Sequence, residues 1–219
     1  CILEYLKNRV GISLRVELID RYNDRRDVLS QDWTNFLLNV NSFPIMIPNT
    51  LSDVTEFLNE MKLNFIILSG GDNIGDFPER DKTEHEIINY AIKHNIPILG
   101  VCRGMQILNN FFGGSIITTS DQNHVGKPHP IDFTSSKFPE LIGKKSLQVN
   151  SFHNNIIKKE CLGDNLETFA LSKLDNTIEG YFHTNLPIIG VMWHPERSND
   201  IELGSLLIKM IQNKMIWGK

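Results

Sequence analysis

The sequence predicts an α/β protein: a mixed sheet with helices on both faces and a nucleophile set on a sharp strand-to-helix turn. Three observations carry this expectation. Apolar runs of strand length alternate with amphipathic helical segments through residues 10–101. Short strands separated by Gly, Pro, Asn and Ser clusters follow from about residue 114. Between the two regimes, a cysteine with glycines two positions to either side joins a buried strand to a helix.

In chain order, strands are expected at 10–16, 43–47, 65–68 and 97–101, with helices at 27–39, 53–62 and 83–94 between them. That rhythm implies parallel strands joined by right-handed crossovers. Ser52 or Asp53 caps the second helix, and Asp81 to Glu86 put acidic residues in the first turn of the third. Pro44, Pro48, Pro78 and Pro97 fall at element edges. A helix over 103–112 stops at Gly113-Gly114. The stretches 115–118, 131–134, 146–150, 167–172, 177–183 and 187–193 read as antiparallel ribbons and returning strands, and 201–216 as a closing helix with Leu203, Leu206, Leu207, Met210 and Ile211 on one face. Neither an internal repeat nor a low-complexity linker interrupts the 219 residues, which are expected to form a single domain, 1–219.

Composition excludes several function classes. Twenty-two Lys and Arg against 26 Asp and Glu give a net charge of −4 with no dense basic run, so a duplex nucleic acid partner is not expected. The longest apolar stretches, such as 96–102, fall far short of the roughly 18 residues of a membrane helix. With Glu4, Lys7 and Arg9 near the start there is no secretory pattern, and a cytoplasmic location is expected. Cys1, Cys102 and Cys161 form no CxxC pair and read as free thiols. An N-terminal nucleophile role for Cys1 does not fit the bulky Ile2-Leu3-Glu4-Tyr5 that follows, and Cys161 reads as inert. His124, His129, His153 and His183 match no zinc or iron spacing, so solvent contact or local hydrogen bonding is expected of them and neither metal nor cofactor is implied. Glu179 and Tyr181 share a strand face, either bordering a pocket or pairing across strands.

The chemistry concentrates in three segments. Gly100-Val101-Cys102-Arg103-Gly104-Met105-Gln106 is a nucleophile elbow with sulfur in place of oxygen; only glycine fits the crowded flanking positions, and the helix N-terminus favours thiolate. The strand ending in Trp193-His194-Pro195-Glu196 delivers His194 as base at the carboxyl edge of the sheet, and Glu196, two residues on in an extended chain, orients its imidazole. Ser69-Gly70-Gly71 follows the third strand at the same edge, so the Gly71 and Arg103 N–H groups are the expected oxyanion donors. Arginine in a first helical turn opposes the dipole, which calls for a compensating contact; Glu84 and Glu86 are the candidates.

These motifs, with Val149-Asn150-Ser151-Phe152-His153, resemble class I glutamine amidotransferases over essentially the whole chain. The resemblance implies a flavodoxin-like sheet, a γ-glutamyl thioester on Cys102, and a glutamyl pocket involving Gln106 and the backbone around Ser151 and Phe152. Gln106, at i+4 from Cys102, is also expected on the nucleophile's side of its helix. Asn154 departs from the Gln that many relatives carry, which bears on the pocket rim. Arg103, Arg25-Arg26-Asp27 and Gln31-Asp32-Trp33 are similar to the stand-alone branch that hydrolyses small γ-glutamyl amides rather than feeding ammonia to a synthase partner. Within that branch a nucleotide-linked γ-glutamyl amidate is the expected substrate. Arg25, Arg26 and Gln31 would read its phosphate and nucleotide part, with Trp33 stacking or closing the site. Two alternatives stay open: a synthase-coupled glutaminase, and a non-catalytic binding protein on the same fold.

Overall fold

The computed structural model describes residues 8–119, 124–134, 137–197 and 201–217. Cys1 lies outside them. In chain order the elements are β1 (Asn8–Ser13), β2 (Arg15–Ile19), β3 (Asp24–Val28), α1 (Gln31–Asn39), β4 (Ser42–Ile47), α2 (Val54–Met61), β5 (Phe65–Leu68), α3 (Pro78–His94), β6 (Ile98–Val101), α4 (Arg103–Phe111), β7 (Ile117–Thr118), β8 (His129–Phe133), α5 (Lys137–Ile142), β9 (Ser146–Val149), β10 (Asn155–Ile156), β11 (Leu166–Ser172), β12 (Ile178–His183), β13 (Ile188–Val191) and α6 (Ile201–Gln212).

Nine strands form one sheet in the order β4-β1-β5-β6-β13-β12-β11-β8-β9. The pairs β4·β1, β1·β5, β5·β6 and β6·β13 are parallel, and the four pairs from β13 to β9 are antiparallel. Numbered among themselves, the parallel strands run 2-1-3-4-5, the flavodoxin-like order.

Strand alternation divides the core. Phe65 and Ile67 face one side with Leu99 and Val101, packing against Trp33, Phe36 and Leu37 of α1 and Leu207, Ile208 and Ile211 of α6. Ile66 and Leu68 face the other with Ile98, against α2, α3 and α4 through Leu58, Ile87, Ile88, Met105 and Leu108. The helices start where their chemistry directs. Asp53 accepts the Glu56 N–H at 2.8 Å as the cap of α2, and Pro78 opens α3.

The structure corrects the first expected helix. Residues 24–28 are not helical; they pair with β2 in a hairpin turned at Asn23, which sits at φ 48°, and α1 begins only at Gln31 with Ser30 as its cap. The expected strand 10–16 is likewise two strands, β1 and β2. This hairpin stands off the main sheet and reaches over its carboxyl edge. Helix α5 was not foreseen; its Phe138 stacks on Phe169 of β11 at 3.7 Å between ring centroids.

Candidate active site

The elbow is built by close approach. A Cβ at Gly104 would lie 1.9 Å from the Leu68 carbonyl oxygen, and one at Gly100 would lie 2.5 Å from the Gly104 oxygen, so α4 can meet β5 and β6 only through glycines. Cys102 pays for the turn with φ 52° and ψ −105°, a conformation that non-glycine residues rarely adopt, and its N–H donates to Val191 O at 2.8 Å. Its thiol is thereby presented at the N-terminus of α4 on the carboxyl edge of the parallel strands, beside β13.

His194 arrives from β13 and is clamped from outside: its N–H donates to Asn150 Oδ1 at 2.8 Å and its carbonyl accepts from Asn150 Nδ2 at 2.9 Å. Its ring hydrogen-bonds Cys102 on one side and meets Glu196 Oε1 through Nδ1 at 2.7 Å on the other. Burial pulls the imidazolium pKa down, but hydrogen bonds and charge from Cys102 and Glu196 outweigh it and raise the value to about 9. Glu196 makes this contact from a 3-10 turn over Pro195–Arg197 rather than from an extended chain. The expected partner is therefore present with a different local backbone. Gly70 packs directly on the pair, since a Cβ there would fall 2.7 Å from His194 Cε1 and 3.5 Å from Cys102 Cβ; Gly71, at φ 125°, follows it.

A buried charge network not foreseen from the sequence holds the Ser69–Gly71 turn. The Arg80 guanidinium, fully buried on α3, donates to Ser69 O at 2.9 Å, Gly70 O at 3.1 Å, Asp72 Oδ2 at 3.0 Å and Glu84 Oε1 at 3.1 Å. Arg103 turns its side chain to Glu84 and Asp81, which is the compensating contact its place in α4 requires; Glu86 instead faces Lys82 at 3.8 Å. For Glu84, burial pushes the carboxyl up, yet Arg103, Arg80 and the Ser13 hydroxyl hold it below the ordinary carboxylate range. The i,i+4 spacing of Arg80 and Glu84 was the available signal.

A cavity of about 500 Å³ opens over Cys102 and His194. Its floor is Ser69, Gly70, Gly71 and Cys102; Phe152 and Glu196 form one wall, and Arg15, Glu17, Val28 and Trp33 from the hairpin and α1 form the other. Phe152, half-exposed, sets its ring edge-on to His194 at 5.7 Å, while Arg197 lies over the Phe152 ring. Trp33 borders the cavity but is buried with its ring against Phe36.

Other expected site residues lie elsewhere. Arg25 pairs with Glu79 and covers the Phe77 ring, Arg26 pairs with Asp24 at 2.7 Å, and neither they nor Gln31 lines the cavity. Arg25 and Arg26, consecutive on β3, point to opposite faces of the hairpin, and each is taken up by a carboxylate there, Glu79 and Asp24. The arginines that do line the cavity are Arg15, 3.6 Å from Asp72, and Arg197, 3.6 Å from Asp32. Gln106 is buried and does not line the cavity, accepting from Asn155 Nδ2 at 3.3 Å and lying 3.7 Å from Met192 Sδ. Ser151 is buried, its hydroxyl donating to His124 O at 2.6 Å. His124, His129 and His153 are buried as well and gather around Glu179, so of the two expectations for these histidines solvent contact is corrected, while His153 makes a local hydrogen bond to the Asn155 carbonyl.

The peptidase C26 family pattern matches residues 10–196, most of the chain, including Cys102, His194 and Glu196. The chain belongs to the peptidase C26 family. A curated relative, the γ-glutamyl-CDP-amidate hydrolase of Campylobacter jejuni, is 35% identical over 199 residues, covering 88% of this chain and 92% of the relative. The carbamoyl phosphate synthase small chain of Aquifex aeolicus is 37% identical over 103 residues, 47% of this chain and 25% of that protein. Among solved structures, a glutamine amidotransferase from Thermotoga maritima superposes with a TM-score of 0.64 at 19% identity, covering 95% of this chain and 86% of that one. This peptidase C26 protein is thus a hydrolase of amide C–N bonds on the class I glutamine amidotransferase fold. Among its described residues, no helix is long and apolar enough to cross a membrane.

Proposed function

We propose that this protein hydrolyses a γ-glutamyl amide through a γ-glutamyl thioester on Cys102, and that its substrate is γ-glutamyl-CDP-amidate. The observation that carries the reading is the unbroken line Cys102, His194, Glu196 along a cavity that Arg15 and Arg197 also line. Cys102 Sγ attacks the side-chain carbonyl carbon while the Gly71 and Arg103 N–H groups receive the oxyanion. Collapse breaks the C–N bond as the His194 imidazolium gives its proton to the departing nitrogen, releasing cytidine diphosphoramidate. Water, losing its proton to His194, then attacks the thioester carbon and frees glutamate and the thiol. Glu196 keeps Nδ1 protonated and steadies the imidazolium throughout.

The diphosphate must meet positive charge on a protein of net −4. Arg15, 3.6 Å from Asp72, and Arg197, 3.6 Å from Asp32 and lying over the Phe152 ring, can supply it with bidentate geometry. The test is mass spectrometry of the purified protein incubated with a panel of γ-glutamyl amides, including γ-glutamyl-CDP-amidate, beside free glutamine. Preferential consumption of the nucleotide-linked amide supports the reading. Ammonia release from glutamine that needs an added synthase would contradict it and favour a synthase-coupled role.

A further inference from the structure

Behind the Phe152 wall, four buried side chains from separate parts of the chain converge: His124, His129 on β8, His153 and Glu179 on β12, none more than 5% exposed. Around Glu179 Oε1 stand His129 Nε2 at 3.2 Å, His153 Nε2 at 3.6 Å and His124 Nδ1 at 3.8 Å. The outer nitrogens of two rings are already committed. His124 Nε2 meets Asp175 Oδ2 at 2.9 Å and His153 Nδ1 meets the Asn155 carbonyl at 2.9 Å. Both partners are acceptors, so those nitrogens carry the protons. The inward nitrogens of a neutral His124 and His153 are then lone pairs aimed at a carboxylate oxygen. These two atoms, both nitrogens of His129 and both oxygens of Glu179 are buried with no hydrogen-bond partner. Lone pairs facing one another in a dry interior are costly. A cation among them turns one nitrogen of His124, one nitrogen of His129 and one oxygen of Glu179 into ligands.

We propose that His124, His129 and Glu179 bind a divalent transition metal of the zinc class, with His153 packed against Glu179 beside it. Bonds of about 2.0–2.1 Å in a tetrahedron put ligand atoms about 3.3–3.4 Å apart, and the separations from Glu179 Oε1 to His129 Nε2 and His124 Nδ1 bracket that spacing at 3.2 and 3.8 Å. Two imidazoles and one carboxylate suit zinc. The charge also balances, because a dication neutralises Glu179 and Asp175 together. Asp175 is an outer partner of the kind that orients a metal-bound histidine. None of these ligands lines the cavity over Cys102, so the site is structural rather than catalytic. It fastens the active-site wall, since the His124 carbonyl accepts from the Ser151 hydroxyl and from the His153 N–H at 3.1 Å.

The test uses untagged full-length protein. Metal analysis of the protein as purified is expected to find about one zinc-class ion per chain. Chelation should lower the Tm, and added Zn²⁺ should restore it. In a Cys102→Ser background, which removes the catalytic thiol as a competing ligand, Co²⁺ should give the visible absorption of a tetrahedral nitrogen and oxygen site without a sulfur charge-transfer band. Asp175→Asn should weaken binding by roughly 10- to 100-fold; because Asp175 is an outer partner, this variant reports even where Glu179→Gln fails to fold. Purified protein without metal, whose Tm Zn²⁺ does not move and which takes up no Co²⁺, would overturn the proposal and leave protons as the cations of the cluster.

Discussion

At the scale of single residues, the chemistry turns on where His194 keeps its proton. Its pKa stands near 9 in the fold against an ordinary 6.5, so the imidazolium's interactions with Cys102 and Glu196 stabilise the native state fully below about pH 6.5. That contribution is lost as pH rises through about 9. The same proton is the one the departing nitrogen needs, so the rate is expected to fall on the alkaline side as His194 deprotonates. Glu196→Gln removes a charge that holds the proton on, and should move that alkaline limb down by about one pH unit or more. It should also slow turnover less than His194→Ala does. A pH–rate profile of the three proteins checks both; an unmoved limb in Glu196→Gln would detach the carboxylate from the imidazole. These three residues were legible in the sequence because the elbow and the His-Pro-Glu ending are local patterns. Asn150, which clamps the His194 backbone, was not, since its partners lie 44 residues away.

At the scale of elements, the Ser69–Gly71 turn depends on α3 more than on its own glycines. Arg80 donates to the Ser69 and Gly70 carbonyls and shares Glu84 with Arg103, so α3, the turn and the elbow helix are joined through buried charge. Arg80→Leu would strand Glu84 and leave two carbonyls unpaired. The expected loss is about 3–5 kcal/mol in urea unfolding, with activity falling alongside. A loss under about 1 kcal/mol would mean that the network is dispensable. Sequence periodicity located α2, α3, α4 and the parallel strands to within a few residues, because each buries an apolar face. It started the first helix at 27 rather than at Gln31 because Asp24–Val28 is a charged, largely exposed hairpin arm whose alternation carries no hydrophobic contrast. Beyond the i,i+4 spacing of Arg80 and Glu84, long-range charge networks leave no periodic trace, which is why the contacts of Arg80 to the Ser69–Gly71 turn and the cluster around Glu179 emerge only in three dimensions.

At the scale of the whole molecule, the parallel half of the sheet brings the turn after β5, the elbow after β6 and His194 after β13 to one edge, and the β2–β3 hairpin builds the opposite side of the cavity. Under the proposed function, Arg15 on the hairpin and Arg197 over the Phe152 ring are the cavity arginines that would meet the leaving group. Arg15→Ala and Arg197→Ala are expected to raise KM for a nucleotide-linked substrate by an amount matching a lost charge-assisted bond, about 1.5–3 kcal/mol, and to change slow glutamine hydrolysis little. Arg25→Ala and Arg26→Ala should leave both unchanged, since their partners are Glu79 and Asp24. Equal effects from all four arginines would dissolve that division. The account rests finally on the covalent step at Cys102. Rapid quenching during turnover of a γ-glutamyl substrate, followed by mass spectrometry of the peptides, should find one γ-glutamyl group on Cys102 and none on Cys161. Turnover without any adduct on Cys102, together with near wild-type rates in Cys102→Ser, would contradict it.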